Sequence, residues 1–379
     1  MCPAHVQEPF LRAYIASHLT EATCSYCDAQ SSPRSPAAIS MEVFMADAFL
    51  PAVYLYYQPQ SLPAKHAELL TSVFSAEFVA QEIADIAGIG DELLLEHLSN
   101  ALSVTPDWIK QDWERGPLDE QMTHSWETFK NLVKHQTRFF FAERSTGPDG
   151  CSSMTASQLL RAVAAAIQDI GEVWPTPCPH PLYRARMSRS LAEASTFLDA
   201  SQIGPPPPTL AAANRMSPAG ISMFYGSTDR ETAIAEVGAH SSQSWVVTGE
   251  FTPAREIRLI DLTQLPAVPS IFDSGRRPQF HAIRFLHRFV EDITLPVELD
   301  GREHIDYVPT QVFTEYLRYA FPARVDGLMF PSSQGSGSNV VVFYGPDFCS
   351  DDTPANDYTR LLMNSATVTV DRVITVALH

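Results

Sequence analysis

NRMSPAGISMFYGSTDRETAIAEV, residues 214–237, sets an Arg, a tight turn, an aromatic strand end and one Glu inside a small-residue helix. In SPAG (217–220), Pro supplies a fixed φ and Gly a position able to take φ > 0. ISMFY (221–225) reads as a strand. Thr228 and Glu231 have the S/T-x-x-E spacing of a capping box, which opens a helix. Arg215 therefore precedes the turn, Tyr225 ends the strand, and Glu236 projects from the second helical turn. A strand packs on the helix that follows it, so Tyr225 and Glu236 are drawn towards one cleft. A carboxylate among Ala233, Ile234, Ala235 and Val237 is poorly solvated and costs stability unless a partner compensates. A solvent-facing Glu with snorkelling neighbours is the plain alternative, and these residues alone leave both open.

Outward from this stretch, the pattern mixes short strands with helices. SWVVTGEF, EIRLIDL, DGLMFPS, NVVVFYG and TVTVDRVITVAL are rich in β-branched and aromatic residues and read as strands. FHAIRFLHRFVEDI, with Phe285/Phe289 and Leu286/Val290 as i,i+4 pairs, and TQVFTEYLRYAF after Pro309 read as helices. Strands and helices do not alternate regularly, which predicts an α+β fold and not a doubly wound sheet. Upstream, Phe78, Val79, Ile83 and Ile86 have helical spacing, as do Trp126, Phe129 and Val133 before the aromatic run Phe139, Phe140 and Phe141. Leu93, Leu94, Leu95 and Leu98 follow a break, Gly88 to Asp91, that ends in a cap. MTASQLLRAVAAAIQDIG is one helix, with Thr155 or Ser157 near its start and Gly171 near its end. The expected organisation is a metal-binding segment over 1–30, an α-helical domain over 31–150, a helix and Pro-rich linker over 151–180, and a mixed α/β domain over 181–379.

With 379 residues, 45% of them apolar, the chain is globular. A formal charge of −18 argues against general nucleic-acid binding. The segment MEVFMADAFLPAVYLYY is broken by Glu42, Asp47 and Pro51 and does not suit a membrane span, and MCPAHVQEPF does not read as a secretory signal. The expectation is a soluble, cytoplasmic protein. Cys2-x2-His5 and Cys24-x2-Cys27 form two short-spaced pairs of the kind that close a tetrahedron around structural zinc. Cys151, Cys178 and Cys349 are isolated. There is no GxGxxG after a strand, so a Rossmann dehydrogenase has no support.

RMSPAGISMFYGSTDRETAIAEV resembles the signature of RES-domain proteins, named for an Arg, a Glu and a Ser. LYRAR (182–186) and IGPPPP (203–208) are similar to the family's opening. LIDLT, PSIFD, HIDYVPTQVFTEYLR and DGLMFPSSQGSGSNVVVF follow in its order, so that the likeness runs over roughly 181–343. CPAH, CSYC and HSWETFKNLVKHQTRFFF (124–141) resemble the HEPN/RES N-terminal domain, with His5 standing where the usual form has Cys.

The resemblance implies a catalytic domain like the ADP-ribosyltransferase fold, with NAD+ as a substrate. By motif position it places the naming residues at Arg215, Glu236 and Ser332, with Tyr225 as a fourth. Arg184, Arg186, Asn339 and His304 are candidates for binding NAD, and Tyr307 and Gln311 for the pocket wall. The expected reaction is cleavage of the nicotinamide–ribose bond. ADP-ribosyl transfer to a macromolecule and phosphorolysis use the same residues. A HEPN ribonuclease would need Arg-x4–6-His on one helix, but the order here is His135 then Arg138. A binding module without turnover is the remaining alternative. An NAD-consuming enzyme would be restrained, by an antitoxin-like partner or by its own N-terminal half, and growth-inhibiting when free. Self-association is left open.

Overall fold

The structure is a computed structural model that describes residues 1–27, 35–60, 73–104, 107–111, 116–139, 154–171, 173–179, 181–239, 241–297 and 301–373. The expected loop 145–153 with Cys151, most of the linker after residue 28, Phe140 and Phe141, and the end of the last strand lie outside the described residues. Two compact units result: Met1–Gln121 with Ala267–Arg284, and Met122–Pro266 with Phe285–His379.

In the first unit, helices Pro9–Ser17, Ala76–Ala87 and Glu92–Leu102 bury Leu11, Ile15, Val79, Ile83, Leu94 and Leu98, while Phe78, Ile86 and Leu93 of the expected helical patterns are exposed. Asp91 caps the third by accepting from the Leu94 N–H at 2.8 Å, and Gly88 ends the second at φ +65°. The unit is not wholly helical. Strands β1 (Tyr57–Pro59), β2 (Phe74–Ser75) and β3 (Asp107–Lys110) form an antiparallel sheet in the order β1-β3-β2. Strands this short carry no readable alternation, which is why the sequence did not announce them.

The second unit is built on β4 (Thr176–Pro177), β5 (Leu182–Ser188), β6 (Phe224–Ser227), β7 (Trp245–Pro253), β8 (Arg258–Asp261), β9 (Gly327–Pro331), β10 (Ser338–Val342), β11 (Cys349–Asp351) and β12 (Leu361–Arg372). They form one mixed sheet in the order β11-β12-β7-β5-β6-β10-β9-β8-β4. The β8/β9 and β11/β12 pairs are parallel and the others antiparallel. The α+β expectation therefore holds. The Leu118–His135 helix enters this unit from Met122 onward, and the Ala156–Ile170 helix lies within it; of the two expected start residues Thr155 is the cap, in a capping box with Gln158.

Strand periodicity decides which residues reach the site. Phe224, Val340 and Val342 point into a core with Leu182, Phe251 and Leu259. Their neighbours Tyr225 and Asn339 fall on the opposite face, paired with Val341 and Ser227 across β6/β10. The Arg230–Gly238 helix covers that face, and Ala233 packs on Ala185 and Val246. The small side chains of TAIAEV let the helix lie close, which brings Glu236 over the sheet.

The loop after β9 seats on the start of that helix. The Gly337 N–H donates to Thr232 Oγ1 at 3.0 Å and the Ser338 N–H to Thr228 Oγ1 at 3.1 Å. The expected Thr228/Glu231 capping box is thereby corrected. Asp229 is the cap, accepting from the Thr232 N–H at 2.7 Å, because the Thr228 hydroxyl is engaged by the loop. A Cβ on Gly337 would stand 1.7 Å from Asp229 Oδ2, and one on Gly335 2.6 Å from Thr232 Oγ1. Only glycine permits this approach. Gly337→Ala is expected to cost about 2–3 kcal/mol, read as a lower urea midpoint. An unchanged midpoint would contradict the close packing.

Candidate active site

A cavity of about 440 Å³ opens in the second unit beside β6, lined among others by Arg215, Tyr225, Glu236, Tyr307 and Asn339. Glu236, half-buried, is fixed through one oxygen. Ser332 Oγ donates to Oε1 at 2.5 Å and Asn339 Nδ2 to the same atom at 2.6 Å. Among the described residues, Oε2 takes no hydrogen bond. Ser332 in turn accepts from the Gln334 and Gly335 N–H groups, each at 3.0 Å, so its hydroxyl proton is aimed at the carboxylate. Ser332 stands behind Glu236 and is not part of the cavity wall. Asn339 is held on its other side by Ser227, whose hydroxyl donates to Oδ1 at 3.1 Å.

Tyr225 and Arg215 complete the wall. The Tyr225 hydroxyl meets Ser217 Oγ at 2.8 Å. Burial pushes this phenol up to about 12, opposed by the bond to Ser217, so it is neutral at physiological pH. Arg215 donates through Nη1 to the Ile293 carbonyl at 2.8 Å. Burial lowers its guanidinium below the ordinary value, and Tyr307, Glu236 and Asp292 oppose that shift. The turn carrying Arg215 is pinned by the Val308–Tyr319 helix. Gln311 Nε2 donates to the Asn214 and Ser217 carbonyls at 2.8 and 3.2 Å, and the Thr310 hydroxyl donates to the Arg215 carbonyl. Gly220 takes φ +86°, as the turn requires.

Arg184 lines the cavity, and its guanidinium donates to two backbone carbonyls. Nε donates to the Ile203 carbonyl at 2.7 Å and Nη1 to the Tyr225 carbonyl at 2.5 Å, and burial pushes the group down to about 10. Arg186 is not in the wall. It is exposed, bonds the Gln202 carbonyl and lies 5.0 Å over the Phe197 ring. His304 is likewise outside, exposed on the Glu303–Asp306 helix, and Tyr307 takes the place on the wall. Sequence reasoning assigns Ser217 only to a turn and Thr228 only to a cap, and it misses Thr232 and Thr310. Their one signal is a hydroxyl within four residues of Arg215, of the helix cap or of Tyr307.

In the first unit, the donor atoms of Cys2, His5, Cys24 and Cys27 all lie within 4.8 Å of one another. Cys2 and Cys27 Sγ are 3.6 Å apart, near the separation of about 3.8 Å for two thiolates on a tetrahedral zinc. His5 Nε2 is buried without a hydrogen-bond partner, and Nδ1 lies 3.6 Å from Asp91 Oδ2. A ring with one orphaned nitrogen and a carboxylate behind the other is the arrangement of a ligating histidine. Burial opposes ionisation of the neighbouring thiols, raising Cys2, while backbone hydrogen bonds at Tyr26 and Cys2 and the thiols of Cys27 and Cys2 lower Cys24. Among the described residues no helix is long and apolar enough to cross a membrane.

Two family models match the sequence: the RES domain over residues 181–363 and HEPN/RES N-terminal domain 1 over residues 17–147. No curated protein matches. Among solved structures, the chain is similar to the M. tuberculosis MbcT-MbcA toxin-antitoxin complex at 10% identity and a TM-score of 0.28, over 55% of this chain and 91% of that one. A likeness of that degree carries no argument. The Arg215, Glu236 and Ser332 positions expected from the signature all fall inside the first matched region, and the chain belongs to the RES-domain proteins that carry a HEPN/RES N-terminal domain ahead of the RES domain.

Proposed function

We propose that the cavity binds NAD+ and that the protein cleaves the bond between nicotinamide and ribose. One observation carries this reading: a Glu carboxylate pinned through Oε1 by Ser332 and Asn339, with Oε2 left for a ligand, in a cavity that also holds Arg215 and Tyr225. The cavity volume, about 440 Å³, falls in the range of small-molecule sites.

Glycosidic cleavage at this position passes through an oxocarbenium-like state with positive charge growing on ribose. Nicotinamide leaves as a neutral base, so no general acid is required. A fixed anion near the anomeric carbon stabilises the developing charge more than the ground state, and a preorganised one does so without reorganisation. Glu236 Oε2 supplies that charge, hydrogen-bonds the ribose hydroxyls and orients the attacking water. Ser332 acts as a positioning residue through Oε1. Asn339 shares that task and reaches the cavity as well. Tyr225 offers a flat neutral face to the nicotinamide ring, steadied through Ser217. Arg215 keeps N–H groups beyond the one given to Ile293 for the pyrophosphate or the nearer ribose. Arg184 serves by fixing the Tyr225 carbonyl, not by holding phosphate. Uncontrolled NAD loss is toxic, so the reading includes restraint by an antitoxin-like partner or by the N-terminal half.

The cluster of Cys2, His5, Cys24 and Cys27 is proposed to hold structural zinc. Four protein ligands leave no position open for water, so the metal would fold the segment and take no part in the reaction.

Glu236→Gln should lower NAD consumption by the purified full chain by about 100-fold or more, with little change in the melting curve. Unchanged turnover would falsify the assignment. Labelled NAD distinguishes the acceptor: free ADP-ribose signals water, label on protein signals transfer, and a phosphorylated product signals phosphorolysis. The purified chain should carry about one zinc per molecule by atomic emission, and His5→Ala should lower both zinc content and melting temperature. Wild type free of zinc, with the same melting curve before and after added zinc, would dismiss the metal.

A further inference from the structure

Arg215 rests on the last turn of the Phe280–Thr294 helix, where its Nη1 meets the Ile293 carbonyl at 2.8 Å. The preceding residue, Asp292, accepts two hydrogen bonds. Trp126 Nε1 donates to Oδ2 and Lys130 Nζ to Oδ1, each at 2.7 Å. Lys130 also pairs with Glu127 at 2.9 Å. Lys134 Nζ reaches Asp306 Oδ1 at 2.7 Å, beside Tyr307. Positions 126, 130 and 134 recur every four residues and form one stripe of the Leu118–His135 helix. The stripe meets both segments that flank Arg215. The indole is seated as well, edge-on to Phe289 at 4.9 Å. A second cavity of about 300 Å³ is walled by these groups and shares Arg215 and Tyr307 with the first.

Asp292 is one of the anions whose field acts on Arg215. Its carboxylate and a substrate phosphate would compete for the same guanidinium. The side chains of Lys130 and Asp292 are 19% and 28% exposed, so their attraction is less screened than at the surface. We propose that Lys130 is a positioning residue for the nucleotide site: it neutralises Asp292 so that this carboxylate does not draw Arg215 out of the cavity, and with Trp126 it fixes the Ile293 carbonyl on which the guanidinium rests. The inference depends on the reading of the cavity as an NAD site only for its kinetic consequence. The physical clamp stands apart from it.

The test uses the full chain as wild type, Lys130→Met, Lys130→Arg and the double variant Lys130→Met/Asp292→Asn. For Lys130→Met, KM for NAD should rise about tenfold with kcat within about twofold. Lys130→Arg keeps the charge, and the double variant removes the stranded carboxylate, so both should return KM to within about threefold of wild type. Amide hydrogen exchange reads the clamp without NAD. In Lys130→Met the amides of 214–217 and 292–295 should exchange about tenfold faster, with the strands β7 and β10 unchanged. The proposal is overturned if KM is unmoved, if kcat falls at constant KM as loss of folded protein would produce, or if the double variant is worse than the single one. If wild type leaves NAD intact, the NAD reading falls and exchange alone decides the clamp, with unchanged rates at 214–217 and 292–295 overturning it.

Discussion

Two donors from one hairpin converge on a single oxygen of Glu236, and the rest of the site is arranged around that convergence. Ser332 and Asn339 lie 96 and 103 positions along the chain from the carboxylate they hold. The contact exists only when β6, β10 and the helix between β6 and β7 are in register. A carboxylate that accepts two hydrogen bonds loses less on leaving water than an unpaired one. That is the physical answer to the presence of Glu among alanines: the small residues allow the approach, and the hairpin supplies the compensation. Glycine at 335 and 337 belongs to the same constraint, because any Cβ there would collide with Thr232 or Asp229.

What was legible in the sequence was mostly local. The helix start at Thr155, the Gly171 stop and the β-branched strands depend on neighbours within a few residues, and the structure reproduces them. The cap of the Glu236 helix was misread for the opposite reason. Thr228 has the right spacing, but the Ser338 N–H, 110 positions away, claims its hydroxyl. Arg184 is expected at the NAD site from its sequence position alone, and the structure adds that two of its N–H groups are held by the Ile203 and Tyr225 carbonyls. His304 and Tyr307 sit three apart in HIDYVPTQV, yet Tyr307 lines the cavity and His304 is exposed outside it. Periodicity tells which side chains share a face, not which face meets a cavity. The three short strands of the first unit gave no signal at all.

The Leu118–His135 helix shows the same limit in another form. Trp126, Phe129 and Val133 read correctly as a buried stripe, and all three are buried. Lys130 and Lys134 lie on the adjacent stripe and would pass for a solvated edge. Their partners, Asp292 and Asp306, are 162 and 172 residues away, beyond the reach of any local pattern. Burial disfavours a charged Lys130, but hydrogen bonds to Asp292 and Glu127 outweigh it and hold the ammonium above its ordinary value. The charge therefore persists at any pH at which the enzyme would work.

The matched N-terminal region extends to residue 147, but from Met122 the chain already belongs to the unit that holds Glu236. The end of the matched region is not the boundary between the compact units. A chimera spliced between residues 147 and 181 would keep Asp292 and Asp306 without the matching Trp126, Lys130 and Lys134. Shuffling of front halves among such proteins is thus constrained to carry that helix along, or to rebuild its partners at Asp292 and Asp306 in the recipient.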